Sequence, residues 1–384
     1  MHQGPGAKHL FSYWEHHSFF GPADVAIIGA GLVGLTAALY LKQRRPTWRV
    51  VVLERGSLPS GASTKNAGFA CFGSISELIE QESRGDLQAM VAARYTGLTR
   101  LRELLGDAAL DYQPVGGYEL FRQGEEALAV ECREKIGYFN ALLAPVVGHA
   151  HTFRDASAEG AQFGFRGVHA LLKNECEGSL DAGRMMRALL ARTWAADVPV
   201  LTCCEVAEVA AAATGHQLRL TNGATVQAGQ VLLATNAFAT ELLPTLAVVP
   251  GRGQVLVTEP LPGVTLLGTF HYDHGYAYFR QLPNHRILLG GGRNLNFSAE
   301  GTTAPGLTLP VQQYLENLLH EVILPGPRPR VDYRWSGVMG FGPALAPIID
   351  WVRPGMLAAV RCNGMGVALG AGTGWLAAQK LAAG

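Results

Sequence analysis

The 384 residues predict an α/β fold with an α+β domain set into it. Three observations carry that expectation: an apolar run opening onto a glycine-rich turn at 25–34, a similar strand ending in small residues at 231–237, and alternating strands between 254 and 292. The first is the most informative. Val25-Ala26-Ile27-Ile28 reads as a buried strand, Gly29-Ala30-Gly31-Leu32-Val33-Gly34 as a G-x-G-x-x-G turn, and Leu35 to Leu41 as helix. Past Gly34, the apolar strand Val50-Val51-Val52-Leu53 ends on Glu54. This is a complete Rossmann-like strand–turn–helix–strand–acid unit, and each part has a physical task. Gly29 permits the turn, Gly31 lets the backbone approach a pyrophosphate, Gly34 lets the helix lie close on the strand, and Glu54 accepts hydrogen bonds from an adenosine ribose. Phosphates sit at the helix N-terminus, where N–H groups and the dipole favour negative charge. An ordinary glycine turn explains neither Glu54 nor its spacing. The unit leaves open whether the dinucleotide is FAD or NAD.

The remaining bulk properties narrow the class. Hydrophobic residues make up 48% and charged residues 16%, which fits a globular protein of two domains with sizeable cores. Lys+Arg and Asp+Glu both number 31 and form no basic stripe, so nucleic acid is not an expected partner. Cys71, Cys132, Cys176, Cys203, Cys204 and Cys362 form no CxxC pair and read as reduced thiols in a cytoplasmic protein. Residues 1–21 read as an N-terminal arm, with Ser12-Tyr13-Trp14-Glu15 and Phe19-Phe20 packing onto the domain that follows. Its four histidines lack carboxylate or cysteine partners at ligand spacing, and no metal site is expected. No stretch reaches the roughly 18 apolar residues of a spanning helix, and no secretory signal is visible.

Further along, Gly61 to Gly73 is a small-residue loop of the kind that contacts a ligand. Residues 76–106 and 124–144 read as helices, Tyr112 to Phe121 as a strand pair around Gly116-Gly117, and Leu180 to Ala195 as a helix. Short strands follow over 201–212, 217–220 and 225–227, then the apolar strand Val231 to Leu233. Gln254–Thr258, Tyr276–Arg280 and Ile287–Gly290 alternate as strands, and 310–322 is a helix followed by the proline-rich 325–329. Strands near Tyr333–Val338 and Met356–Val360 precede a glycine cluster, Gly364 to Gly374, which leads into a closing helix. The expected division is a discontinuous nucleotide domain at 22–85, 165–245 and 335–384, with a substrate domain at 86–164 and 246–334.

Several of these segments together resemble one family, the FAD-dependent D-amino-acid oxidase-like oxidoreductases, whose members include glycine oxidase, sarcosine oxidase and γ-glutamylputrescine oxidase. The resemblance rests on Gly29–Gly34 with Glu54, Gly61-Ala62-Ser63 with Asn66-Ala67-Gly68, and Glu177-Gly178-Ser179-Leu180-Asp181. It continues through Ala234-Thr235-Asn236-Ala237, Arg252-Gly253-Gln254, Trp335-Ser336-Gly337 and the Gly364–Gly374 tail. It implies FAD rather than NAD, a Rossmann-like FAD-binding domain and an antiparallel-sheet substrate domain. It also implies the cofactor-binding set: Gly29, Gly31, Leu32, Val33, Gly34, Glu54 and Arg55 around the ADP end. Ser63, Thr64, Asn66, Ala67 and Gly68 line the flavin loop, and Val206 holds the adenine through its backbone. Thr235 and Asn236 close around the nucleotide, and Gly337, Gly364, Met365, Gly366 and Thr373 approach the flavin.

For the substrate, the resemblance implies a tyrosine at Tyr276, and period-two alternation puts Tyr276, Tyr278 and Arg280 on one strand face. Arg280 either lines the site or braces the sheet. Three departures narrow the reading. Met339 stands where glycine-oxidase-like members grip the substrate carboxylate with an arginine, leaving Arg293 or Arg280 to replace it. Gly337 stands where sarcosine oxidase has its flavin-linking cysteine, so FAD is expected to bind non-covalently. Leu288 stands where that enzyme has the lysine credited with oxygen activation. Lys65 pairs with a phosphate or reduced flavin, or is solvated; Cys71 and Cys362 are read as small buried side chains. The expected activity is oxidation of the C–N bond of a small amine or amino acid by hydride transfer to flavin N5, with O2 as acceptor. The alternatives are a flavin dehydrogenase of a 2-hydroxy acid or other C–O substrate and, in another class, a tRNA-modifying flavoprotein module.

Overall fold

The computed structural model describes residues 11–326 and 328–384, which form two compact units. The first comprises the described residues up to Thr64, Gly183–Val249 and Gly340–Gly384. Its sheet runs Met356–Val360, Thr225–Leu233, Ala23–Ile28, Val50–Leu53, Val200–Leu201, and each of these neighbours pairs in parallel. Ile348–Arg353 adds antiparallel at one edge, and the hairpin Val206–Ala211/His216–Leu220 pairs with the start of Thr225–Leu233. The central strands are buried along nearly their whole length, as strands covered on both faces require.

Helices Leu32–Arg44 and Gly366–Ala383 pack on each other at backbone distance. A Cβ on Gly370 would meet Leu32 Cδ2 at 2.5 Å, and one on Gly374 would overlap Thr36 Oγ1 and lie 2.8 Å from Ala37 N. The glycine cluster is therefore divided. Gly364 precedes the helix and Gly366 opens it, but Gly370 and Gly374 lie inside the helix and set its crossing. In the arm, Ser12 caps Tyr13–Ser18 in a capping box with Glu15. Phe11 and Phe20 pack against the core of this unit, and His17 bonds to the Tyr13 carbonyl. Residues 1–10, which carry the other two histidines of the arm, and Pro327 of the proline-rich segment lie outside the described residues.

The second unit, Lys65–Ala182 and Pro250–Met339, is built on a sheet ordered Val331–Phe341, Val249–Thr258, Ile287–Gly291, Ala277–Gln281, Thr269–Tyr272, Gly117–Arg122, Val168–Asn174, Phe153–Asp155. Pairing is antiparallel from Val249–Thr258 to Thr269–Tyr272 and again from Gly117–Arg122 to Phe153–Asp155, with a parallel join between the two sets. Alternation sends Tyr118 and Leu120 into one apolar cluster and Phe121 into another. In the first cluster Phe270 and Phe279 stack at 4.8 Å.

Several expected elements differ. The helix over 76–106 is two, Ile75–Glu82 and Leu87–Leu105, because Gly85 at φ +146° breaks the chain and Asp86 starts a new helix by accepting from Ala89 N. The helix over 124–144 likewise becomes Glu126–Glu134 and Ile136–Val147. The pair expected over 112–121 is one strand, Gly117–Arg122, with Gln113 bridging Ser179. Domain edges differ as well: 65–85, 165–182 and 335–339 lie in the second unit, and 246–249 in the first. The cause is local pairing. Phe69–Ala70 pairs with Gly178–Ser179, Leu180 N donates to the Gly68 carbonyl, and Trp335 Nε1 donates to the Lys65 carbonyl at 2.9 Å.

All six cysteines are free thiols, and among the described residues no helix is long and apolar enough to cross a membrane. Gly374→Ala overpacks the helix crossing and should cost about 1–3 kcal/mol. Gly137→Ala, at a helical glycine with nothing within 4 Å of the added Cβ, should be neutral or stabilising. Thermal unfolding of the two variants should move in these different directions.

Candidate functional site

In the first unit the glycine turn forms a cradle. Gly29 sits at φ +104°, and a Cβ there would lie 2.9 Å from the Ala234 carbonyl oxygen. A Cβ on Gly34 would overlap the Gly29 carbonyl oxygen, so helix and turn touch through bare backbone. Ser63 Oγ accepts from Leu32 N at 2.9 Å and lies 3.1 Å from where a Gly31 Cβ would be. The first-turn N–H groups of a helix have no partner within it, and here they open beside small residues. Glu54 is 8% exposed. Its Oε2 accepts from Ala30 N and its Oε1 from Gly56 N, both at 3.0 Å. Each oxygen keeps a second acceptor direction.

Around this cradle stand the other residues expected at the nucleotide. Cys204 N donates to the Glu54 carbonyl and Cys203 N to that of Gly56, bringing the segment that leads into Val206 alongside the acid. Val206, buried, begins its strand opposite Leu220. Thr235 follows the strand end with its Oγ1 buried and without a hydrogen-bond partner. Asn236 adopts φ +49° and its Oδ1 accepts from Arg361 N at 3.0 Å. Arg55 lies over the Phe238 ring at 3.8 Å and pairs with Glu241, both half-exposed. Thr64 donates its hydroxyl to the Pro59 carbonyl. Met365 and Gly366 start the last helix, and Thr373 is buried in it against Cys362, whose thiol burial pushes up. A bare backbone turn at a helix N-terminus, an acid with spare acceptor capacity and an orphaned buried hydroxyl fit the ADP portion of a dinucleotide.

In the second unit the substrate candidates separate. Tyr276 belongs to the turn before the strand Ala277–Gln281, one residue outside it, and its carbonyl accepts from Gly292 N at 2.9 Å. Its ring stands 5.8 Å from Phe297 and 6.0 Å from the Arg293 guanidinium, which also covers Phe297 at 4.8 Å. Arg280 is 7% exposed, and burial lowers its pKa to about 10. Its Nε donates to the Ala67 carbonyl at 2.7 Å and one terminal nitrogen to the Leu180 carbonyl at 2.8 Å. It braces the loop carrying Asn66, Ala67 and Gly68. Asn66 Oδ1 in turn accepts from Gly68 N at 2.8 Å.

Met339 approaches a different group. A Cβ on Gly253 would meet Met339 Cε at 3.0 Å and the Tyr278 hydroxyl at 3.9 Å. Tyr278 lies flat on Gly290, and burial pushes its hydroxyl up to about 12. It packs with Phe69, Trp335, Leu288 and Ala67 in one apolar cluster. Gly337 is adjacent, with Lys65 Cβ 3.1 Å from its missing Cβ. Tyr278 was not among the leading sequence candidates; its period-two relation to Arg280 was the available signal. Arg280→Met leaves two buried carbonyls unpaired and should destabilise the second unit by about 2–5 kcal/mol, read as a lower urea midpoint and faster proteolysis near 65–73.

Comparisons with known proteins agree with this geometry. The family model described as FAD dependent oxidoreductase matches residues 24–380. The "Bifunctional protein ThiO/ThiG" of Trichormus variabilis is 28% identical over 299 residues, 74% of this chain and 42% of that protein, so the chain spans less than half the length of this curated relative. The glycine oxidase structure from Geobacillus kaustophilus superposes with a TM-score of 0.76 at 21% identity, covering 94% of each chain. The iminodiacetate oxidase structure from Chelativorans sp. BNC1 does so with a TM-score of 0.71 at 21% identity, covering 92% of this chain and 94% of that one. These two share the fold with this protein. The family model, spanning both units and the whole glycine cradle, settles membership: the chain belongs to the FAD-dependent oxidoreductase family.

Proposed function

We propose that this protein oxidises the C–N bond of an amine or amino acid, favouring a secondary or larger amine over a small amino acid. When bound, the flavin supplies the hydride acceptor at N5. The chain's residues hold the cofactor and orient the substrate. Gly29, Gly31, Leu32, Val33 and Gly34 receive the pyrophosphate, Glu54 the ribose, Val206 the adenine, and Thr235 Oγ1 gains a partner from the nucleotide. Gly337 offers no side chain for a covalent link, and the proposed attachment is non-covalent.

The observation that carries the substrate class is the company of Met339. Where a carboxylate-gripping arginine is expected, Met339 stands near Tyr278, whose apolar neighbours include Trp335, Phe69 and Leu288. Arg280 does not replace that arginine, since its guanidinium already donates to two buried carbonyls. Of the two arginines, Arg293 on the Tyr276–Phe297 rings is left as the candidate for a carboxylate. An apolar wall rewards an alkyl or aryl substituent and excludes water from a neutral amine. Several solved structures of this fold act on amines or amino acids by their descriptions, glycine oxidase and iminodiacetate oxidase among them. Oxygen is the proposed acceptor, although Leu288 puts a buried apolar side chain where a lysine would assist it.

Purified protein should be yellow, and acid precipitation should release the colour into the supernatant; a yellow pellet would show a covalent flavin. Thr235→Val gives a signed test. It should leave the apoprotein as stable or more so, because it removes an unpartnered hydroxyl, yet weaken FAD retention roughly tenfold. Equal retention by both proteins would remove Thr235 from the site. For substrate, anaerobic bleaching should be faster with N-alkyl and larger amines than with glycine. Bleaching by 2-hydroxy acids and by no amine would replace the proposal with C–O chemistry. Peroxide formed in proportion to substrate consumed would establish oxygen as acceptor, whereas turnover only with an artificial dye would make the enzyme a dehydrogenase.

A further inference from the structure

The second unit holds a largely buried cluster, with Cys71 half-buried, that the proposed amine oxidation leaves without a task. Cys71 Sγ, a carboxylate oxygen of Glu177 and a ring nitrogen of His271 all lie within 4.8 Å of one another. Glu177 is 1% and His271 5% exposed. Paired strands deliver them. Cys71 follows Phe69–Ala70, Glu177 precedes its partner Gly178–Ser179, and His271 lies inside Thr269–Tyr272. Glu177 Oε1 accepts from Phe72 N at 2.9 Å and Gly73 N at 3.1 Å, which fixes the carboxylate. Its Oε2 is left 3.4 Å from His271 Nε2. That separation is long for a hydrogen bond, and His271 Nε2 is a buried nitrogen without a hydrogen-bond partner. Bare backbone at Gly117 makes room, because a Cβ there would overlap Glu177 Oε2.

The geometry points to a binding site for one zinc-like divalent cation, with Cys71, Glu177 and His271 as its protein ligands. Thiolate, carboxylate and imidazole are the ligand types that zinc takes, and three protein ligands leave one position for a further donor. Charge supports the assignment. A thiolate and a carboxylate together neutralise a dication, so the filled site itself carries no net charge. Binding displaces the Cys71 proton to solvent as the sulfur–metal bond forms, His271 coordinates as the neutral ring, and no electrons are exchanged. Ligand atoms around tetrahedral zinc stand about 3.3–3.8 Å apart, so the triangle closes with side-chain movement of roughly an ångström. The ion would tie the loop after Ala70 to the sheet strand Thr269–Tyr272.

The test uses the full-length, tag-free flavoprotein, loaded with zinc, desalted and analysed for metal. The expected result is one zinc per chain, lost in Cys71→Ser and in His271→Gln and kept in Cys203→Ser, which alters an exposed thiol. Cobalt in place of zinc should add a thiolate-to-metal charge-transfer band to the difference spectrum, absent in Cys71→Ser while the flavin bands persist. A wild-type protein that retains no stoichiometric zinc overturns the proposal, as does equal zinc in both ligand variants. Should a variant fail to fold, wild type alone decides: melting must rise with added zinc after chelation, and an unchanged melting temperature overturns the site.

Discussion

One buried carboxylate organises the first unit. Glu54 accepts from the N–H groups of Ala30 and Gly56, while its own backbone bonds to Leu201 and Cys204. Its side chain therefore fixes the glycine turn and the end of its own strand, and its backbone holds the strand beyond. A carboxylate this deeply buried is tolerated only with such hydrogen bonds, and they fix its orientation. The backbone contact between Gly29 and Gly34 sets the depth of the cradle, and Glu54 sets its rim. The oxygens proposed to meet the ribose are the ones that hold the turn together.

The second unit handles buried charge differently, by turning cations toward backbone. Arg280 donates to the Ala67 and Leu180 carbonyls, and Arg94, 2% exposed, donates to the Phe72 carbonyl. Arg252 forms a two-point pair with Glu300 at 2.7 and 3.2 Å, joined by Gln254 and Thr308. These groups hold irregular segments against a sheet whose own pairing does not reach them. Arg280, which the sequence offers as a ligand grip, is thus needed by the fold internally. Arg293 lies over the Tyr276 and Phe297 rings.

How much was legible follows from whether the signal is local. The nucleotide unit was readable because its glycines, apolar strands and acid lie within about thirty residues and each imposes a constraint on its neighbours. Three of the antiparallel strands of 254–291 were readable for the same reason, whereas Thr269–Tyr272 was not. The break at Gly85 was missed because Ile79, Leu87 and Val91 stay close to helical spacing across it. The strand Ala277–Gln281 was read as starting at Tyr276, one residue early, because the turn at 273–276 has no marker in the alternation. Arg280 could be narrowed to two roles, but only the carbonyls of Ala67 and Leu180, far away in sequence, decide between them. Cys71, Glu177 and His271 fall on three separate stretches, and no spacing rule joins them.

The crossing at Gly370 and Gly374 has a temporal side. The sheet of the first unit needs Met356–Val360 beside Thr225–Leu233, and the helix that follows must lie on the one begun at Leu32. Neither contact exists until more than 350 residues have been synthesised. The glycine turn emerges early but waits for its neighbours, and closing so long a loop slows the search for the native arrangement. The second unit, whose last strand ends at Phe341, has its strands available sooner. Cofactor capture is therefore a late event in the life of a newly made chain, and the run Val25–Ile28, apolar on both faces, is the segment most in need of protection before then.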